Sequence, residues 1–552
     1  MNRRLRVGVL IFLAAWLPYL VVGVYLATEV HLFFGDALSR VQSAQSVLFS
    51  RTPRLSAIGF VFTPLTAVVQ LPLVALSPWW PEMTTHALSA VIMSSMFMAG
   101  SVVQVSGIAR DRGLDPVVAA VFTICYAANP MVVLYGANGM SEAPYLFFLA
   151  WASRRLIRWV STDDVHELVV AGIALALSYL TRYDGGAAAL AAGCVVGWVT
   201  YRRRDGRKRL SRSLVDITLV VAPSALAFLA WAATGWLITG NAFAQFTSEY
   251  GNAAIIAQSG GSGSSTTSEA IWFSITELAI LAPLLPILVV GLIGVRARRH
   301  RLSPLLPGLV IVAVLAFQVF GYARGSTFGF LRFYMTVILL AAIVALMSVP
   351  LRRPIPMRRA GAHADPAPVR PYASRWGYTI ACTVAIVVMA SALPVTAMGM
   401  TSPKYAPQEF ALGSVVNPQP DSVQQKYLDE QRVVRSFSTE RALAEYLDGL
   451  ALPDGSVLCD TVYGFAVVVQ SERPRQFVIP SDRDFAQRLN APADLGVRYF
   501  LTAPVEGRGV ADAINQRYPT MYENGAQIGA LVLEARNDGA DLPDWRVYQI
   551  MR

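Results

Sequence analysis

The stretch EVHLFFGDALSRVQSA, Glu29–Ala44, decides how this chain is read. It follows the first long apolar run, Val7–Ala27, and sets one carboxylate, Asp36, directly after Phe33-Phe34-Gly35. Beyond Asp36, Leu38, Val41, Ala44 and Leu48 recur at helical spacing, with Ser39, Arg40, Gln42, Ser43 and Ser46 between them. That pattern predicts a weakly amphipathic helix lying at a membrane surface. Asp36 falls near its N-terminus, where capping and the helix dipole both favour an ionised acid. Two questions follow: which side of the bilayer this acid faces, and what stands beside it.

The rest of the chain answers the first. Of 552 residues, 54% are hydrophobic and only 15% charged, where a soluble protein carries about a quarter. The apolar residues gather into uncharged runs close to the ~20 residues that cross a bilayer. The fold class is therefore a polytopic α-helical membrane protein. About eleven spans are read, at 7–27, 85–108, 115–134, 142–158, 168–181, 186–201, 214–237, 270–295, 304–321, 333–350 and 378–398. The first follows Arg3, Arg4 and Arg6, is long for the core of a signal peptide and lacks a small-x-small cleavage site, so it reads as an uncleaved span.

Arginine and lysine orient the bundle. With the N-terminus in the cytoplasm, the inner segments hold 25 of these residues, including RRRDGRKRLSR (202–212), RARRHR (296–301) and the 352–375 segment. The outer loops hold six: Arg40, Arg51, Arg54, Arg182, Arg324 and Arg332. The apolar stretch FVFTPLTAVVQLPLVAL (60–76) carries Pro64, Pro72 and Gln70, and counting it as a span would reverse this pattern. It reads instead as a helix in or dipping into the outer interface. The first outer loop then runs from 28 to 84, a length associated with function.

The chain divides near residue 399. Residues 1–399 carry a net charge of +15 and residues 400–552 a net of −5. The basic excess thus belongs to the membrane part and is no nucleic-acid surface. In the tail, RSFSTERALAEYLDGL predicts a helix. SVLCDTVYGFAVVVQ, RQFVIP, GVRYFLTA, GALVLEAR and WRVYQI predict strands, giving an extracytoplasmic α/β domain over 400–552. The linker GSGSSTTS (261–268) reads as flexible. Cys125, Cys194 and Cys382 lie in apolar runs and Cys459 stands alone, so neither a disulfide framework nor a zinc site is indicated. His31 and His86 are isolated in the sequence.

The second question concerns chemistry at the outer ends of the spans. Asp36 reads as a general base on a hydroxyl, against an N-cap or an i,i+4 pair with Arg40. Glu142, in NGMSEAPYLFF, opens the fourth span. An ionisable residue at that depth points to function, against a helix cap with Ser141. LTRYDGG places Arg182 and Asp184 together, against a plain turn with a local pair. GYARGSTFGFLRFY supplies Arg324, Arg332 and Tyr334, against interfacial headgroup contacts. Arginines suit a phosphate by charge and fork geometry, and acids suit hydroxyls. A sugar linked to polyprenyl phosphate combines these parts: a lipid tail, a phosphate at the interface and a sugar above it.

These residues carry a resemblance. The loop beginning FFGDALSR, the segment FTPLTAVVQLPLVAL, the span ending in RDRG, then YGANGMSEAPYLFFLAWASRRL, ALSYLTRYDGG and GFLRFY occur in order before an outward soluble domain. In architecture this resembles the GT-C superfamily of integral-membrane glycosyltransferases across residues 1–350. The resemblance implies a hexosyl- or pentosyltransferase using a polyprenyl-phosphate sugar at the outer face of the cytoplasmic membrane. Asp36 would be the catalytic aspartate, with Glu142 at the family's acid before the fourth span and Arg182 and Asp184 at its Arg–acid pair; the reading of the residues themselves adds Arg40, Arg324, Arg332 and Tyr334 as substrate contacts. The acceptor would be a cell-envelope glycan, a glycolipid or a protein, and transfer would invert the anomeric centre. Some members carry paired acids or DxD in this loop together with a divalent metal. This loop has only Asp36, with Glu29 seven residues earlier and Glu82 far off, so no metal ligand set is read and arginines would neutralise the phosphate. Two rivals are a transporter or flippase of a lipid-linked sugar and a membrane anchor presenting the tail. Charges clustered at the outer ends, rather than across the midplane, favour the enzyme over the transporter, and eleven spans exceed what anchoring needs.

Overall fold

The structure is a computed structural model that describes residues 3–203, 208–244, 248, 251–258, 266–297, 307–350, 374–419 and 421–551. Parts of the basic runs and of the 261–268 linker lie outside these residues. Each apolar run falls on a helix or a bent pair of helices. By length and composition, five helices among the described residues can cross a membrane: Leu5–Val30, Leu88–Asp111, Arg209–Thr239, Leu331–Ser348 and Arg375–Gly399. Two further runs are broken rather than straight. Pro116–Ala127 and Pro130–Ala137 meet at 63°, and Thr267–Leu281 and Leu285–Ile293 at 88°. The first break has a local cause: Asn129 caps the new helix through its side chain, accepting from the Met131 N–H, and Pro130 has no N–H to continue the old one.

The helices Leu88–Asp111, Glu142–Thr162, Val165–Thr181 and Gly185–Arg203 pack against one another with Arg3–Tyr25 and Arg209–Thr239 at their flanks. Leu331–Ser348 is the most enclosed of the five candidate spans, with 89% of its apolar window buried, which makes it the centre of the bundle. The 60–76 stretch forms only the Leu65–Val74 helix. Ten residues rise ~15 Å, half of the ~30 Å hydrocarbon core, so it packs beside the Asp36 helix rather than spanning.

The tail holds a five-stranded sheet in the order β2-β1-β3-β5-β4: β1 Val457–Cys459, β2 Phe477–Val478, β3 Tyr499–Thr502, β4 Gly529–Ala535 and β5 Trp545–Ile550. β2, β1 and β3 run parallel, and β3, β5 and β4 antiparallel. One expected strand is corrected. Of SVLCDTVYGFAVVVQ only Val457–Cys459 is extended, and Thr461–Gln470 is a helix. Asp460 makes the switch, its carboxylate accepting from the Val462 N–H as an N-cap. The valine-rich run is buried on both sides, where a strand and a buried helix read alike.

This helix docks the tail onto the first loop. Phe465, Ala466 and Val469 join Phe437 in one apolar cluster with Leu38, Val41 and Ala44 of the Gly35–Phe49 helix. Polar contacts border it. Arg51 pairs with Asp484 and lies 3.6 Å from Asp482, Thr52 Oγ1 donates to Asp482 at 2.6 Å, and Arg54 donates to the Ser481 carbonyl.

Candidate active site

Asp36 stands in the first turn of the Gly35–Phe49 helix, after an extended Phe34. Its carboxylate caps nothing: Phe34 is the N-cap and makes no side-chain cap bond. Nor does it hold Arg40, whose Nη1 donates to the Asp36 backbone carbonyl at 2.8 Å. It accepts instead from Arg332 Nη2 at 2.9 Å, a residue 296 positions away. The acid keeps 43% of its side chain exposed while Arg332 keeps 5%, so Asp36 is the open end of a buried chain.

That chain runs across one end of the bundle. Glu142 lies 3.9 Å from Arg332 and accepts from Arg182 Nη1 at 2.7 Å. Arg182 in turn donates from Nε to Asp184 at 3.2 Å. The Phe333 ring lies 4.9 Å from both guanidinium centres, an apolar face that each cation meets favourably. Buried ions persist where each has a partner, and here acids and arginines alternate from Asp36 to Asp184. Glu142 is delivered by the turn after Ala137. Gly139 has φ +78°, and a Cβ on it would meet the Ala90 Cβ at 2.6 Å.

The electrostatics at Asp36 are set by two opposed effects. Burial pushes its carboxyl pKa up, but the charges of Arg332, Arg40 and Arg182 outweigh it and hold the pKa at about 2. The acid is ionised throughout the physiological range and is a weak base as long as Arg332 stays on it.

Asp36, Arg40, Glu142, Arg182, Asp184 and Arg332 thus come together. Two other expected contacts stand apart. Tyr334 is buried with its hydroxyl 2.8 Å from that of Ser274. Arg324 is exposed, over the Phe320 ring at 5.1 Å, and makes no ion pair among the described residues. Other ionisable groups stand out in the structure. Glu409 is fully buried and accepts from Tyr135 Oη at 2.5 Å. Burial pushes its carboxyl pKa up against the pull of that bond and of Arg332. Glu277 is buried with neither carboxylate oxygen bonded among the described residues. His31 and His86, isolated in sequence, have ring centroids 5.6 Å apart. Among the described residues no group of three His, Cys, Asp or Glu side chains is placed to hold a metal ion.

No protein-family model matches the sequence, and no curated protein matches it. Solved structures do. The chain is similar to ArnT from Cupriavidus metallidurans bound to undecaprenyl phosphate, with TM-score 0.55 and 13% identity, over 99% of this chain and 97% of that one. It is similar to the apo state of the same protein with TM-score 0.53 and 14% identity, over 98% and 97%. The chain has the ArnT fold. The likeness is one of fold, and it covers the residues 1–350 over which the resemblance was read from the sequence.

Proposed function

We propose that the protein is a glycosyltransferase acting at the outer face of the cytoplasmic membrane, moving a sugar from a polyprenyl-phosphate donor to an acceptor in the cell envelope. The observation that carries this reading is the alternating chain Asp36–Arg332–Glu142–Arg182–Asp184. A solved structure of the same fold holds undecaprenyl phosphate, a lipid phosphate of the kind proposed here.

In this reading the acceptor hydroxyl lies at the exposed edge of Asp36. Its oxygen attacks the anomeric carbon, its proton passes to an Asp36 carboxylate oxygen, and the bond from the anomeric carbon to the phosphate oxygen breaks. The electron pair stays on that oxygen, and polyprenyl phosphate leaves from the opposite face, so configuration inverts. Arg332 serves twice. Before the donor arrives it holds Asp36 ionised. A donor phosphate then competes for the same guanidinium, which frees the carboxylate and restores its basicity as charge builds on the leaving group. Fixed donors aimed at developing charge are the largest single contribution in many enzymes. Glu142 and Asp184 keep Arg332 and Arg182 in place.

Asp36→Asn tests the reading. The amide is isosteric, keeps a hydrogen bond from Arg332 and cannot take a proton, so transfer should fall ~10²–10⁴-fold at unchanged membrane levels. Near-normal turnover by the variant contradicts the role.

A further inference from the structure

Outside the ion-paired chain, the fold brings together two titratable rings that the sequence keeps apart. His31 and His86 have ring centroids 5.6 Å apart, with their planes at 47°. His31 follows the first span. It has φ +58° and closes the turn Leu26–Val30 through its N–H to the Leu26 carbonyl. The chain then runs through a non-helical stretch to Phe34, and Asp36 follows in the first turn of the next helix. His86 stands in the matching place before the span Leu88–Asp111, and Ala87 after it has φ +51°. Residues other than glycine hold such backbone conformations where their surroundings fix them. Two constrained turns therefore set the spacing of the rings.

The tail closes over this pair. Phe33, near His31, and Met83 and Ala87, near His86, share one buried apolar cluster with Phe437, Phe465 and Val469 of the tail. The helix Thr461–Gln470 packs on Glu82–Thr85 as well as on the Asp36 helix. Arg441 stands one turn beyond Phe437, its N–H bonded to the Phe437 carbonyl, and its Nε lies 4.0 Å from Glu445. The charged groups around the rings are Glu29 beside His31, Glu82 before His86, and Arg441 and Glu445 from the tail. Burial and then the charge of Arg441 push both imidazole pKa values below the usual 6.5, and His86 adds to the push on His31. Glu29, Glu82 and Glu445 pull the other way and are outweighed. Lifting the tail takes Arg441 away and opens the rings to water, so the undocked form takes up protons more readily. Docking is therefore at full strength above the usual 6.5 and weakens as pH falls through the lowered values of the docked form.

We infer that His31 and His86 form a proton-operated latch beneath the tail. With both rings neutral, the Thr461–Gln470 helix stays seated on the Asp36 helix. Protonation releases that seat and loosens the segment that delivers Asp36. The latch acts on docking and goes beyond the transfer reaction, which uses neither ring.

The test uses the full chain in phosphatidylcholine nanodiscs. Amide hydrogen exchange of Thr461–Gln470 and Gly35–Phe49 is followed at about pH 7.5 and about pH 5.5, corrected for intrinsic rates, in wild type, His31→Gln, His86→Gln and the double variant. Each proton taken up on opening changes the opening constant by up to ~tenfold per pH unit. Expected in the wild type is about tenfold less protection of both helices at the lower pH. The strands Tyr499–Thr502 and Trp545–Ile550 should be unaffected, because the tail lifts without unfolding. Each single variant should lose most of this response and the double variant all of it. Equal wild-type protection at both pH values, an undiminished response in the double variant, or a loss that spreads to the sheet overturns the latch. The histidine rings of isotope-labelled wild type are titrated in parallel by NMR, which decides the matter even where a variant does not fold. Two of the five histidines should titrate below the usual 6.5; titration of all five at or above it overturns the latch.

Discussion

Replacing Arg332 by Met removes the link on which the buried chain turns. The guanidinium is 5% exposed, its partner Glu142 4%, and it donates to Asp36 at 2.9 Å. Removing one partner of a buried ion pair costs ~3–5 kcal/mol. Arg182 remains on Glu142 at 2.7 Å, so the loss should sit at the low end, about 3 kcal/mol, read as a lower unfolding temperature in nanodiscs. The sharper readout is the pH dependence of kcat/KM, which reports groups of the free enzyme. In the wild type, Asp36 is held at about 2 and stays ionised far into acid, so it contributes no acidic limb in the working range. In the variant the first of the charges that pull this pKa down is gone, while burial, which pushes it up, remains. The base form is then lost as pH falls through the raised pKa, and an acidic limb appears at higher pH than in the wild type. At neutral pH, losing a donor to the leaving phosphate should cost ~10²–10³ in turnover. Turnover within a few-fold of wild type and an unshifted profile together refute the role assigned to Arg332.

Three further outcomes follow from the same geometry. Gly139→Ala combines a φ of +78° with a Cβ 2.6 Å from Ala90, so the variant should lose ~1–3 kcal/mol by overpacking and accumulate poorly in membranes; wild-type levels contradict this. Arg51→Ala removes the partner of Asp484 and the neighbour of Asp482, and the Thr461–Gln470 amides should exchange hydrogen about tenfold faster as tail docking weakens by ~1–2 kcal/mol; unchanged protection there means that the apolar cluster alone holds the tail. Because arginines, not paired acids, surround Asp36, exhaustive chelation should leave turnover intact, and a loss restored by added Mg²⁺ or Mn²⁺ would contradict the charge assignment.

The local parts of the fold were legible in the sequence because they depend on nearest neighbours. Hydropathy set the helices, and Pro64, Pro72 and Gln70 together with the Arg/Lys pattern argued that 60–76 does not span. Asp36, Glu142, Arg182, Asp184 and Arg332 were legible for a different reason: in a chain so poor in charge, an acid or arginine beside an apolar run stands out. Their pairing was not legible. The bland reading of Asp36 looked four residues along to Arg40, whereas the contact is with Arg332, 296 residues away. Glu409 escaped notice because the tail has ordinary charge content, so one more ionisable residue there carries no signal until the fold sets it against Tyr135. Adjacency to Arg332 in the sequence suggests a shared site for Tyr334, but in the tight turn Leu331–Tyr334 its hydroxyl meets Ser274 while Arg332 meets Asp36. Thr461–Gln470 read as a strand because a buried helix has no alternation to betray it.

The most direct measurement compares the envelope glycans and glycolipids of a deletion strain complemented with wild type or with Asp36→Asn, at matched membrane levels. Transfer with Asp36 as base predicts that a sugar is missing from the deletion and is restored by the wild type alone. Restoration by both genes would contradict it, and Asp36 would then be no more than the partner that keeps Arg332 buried.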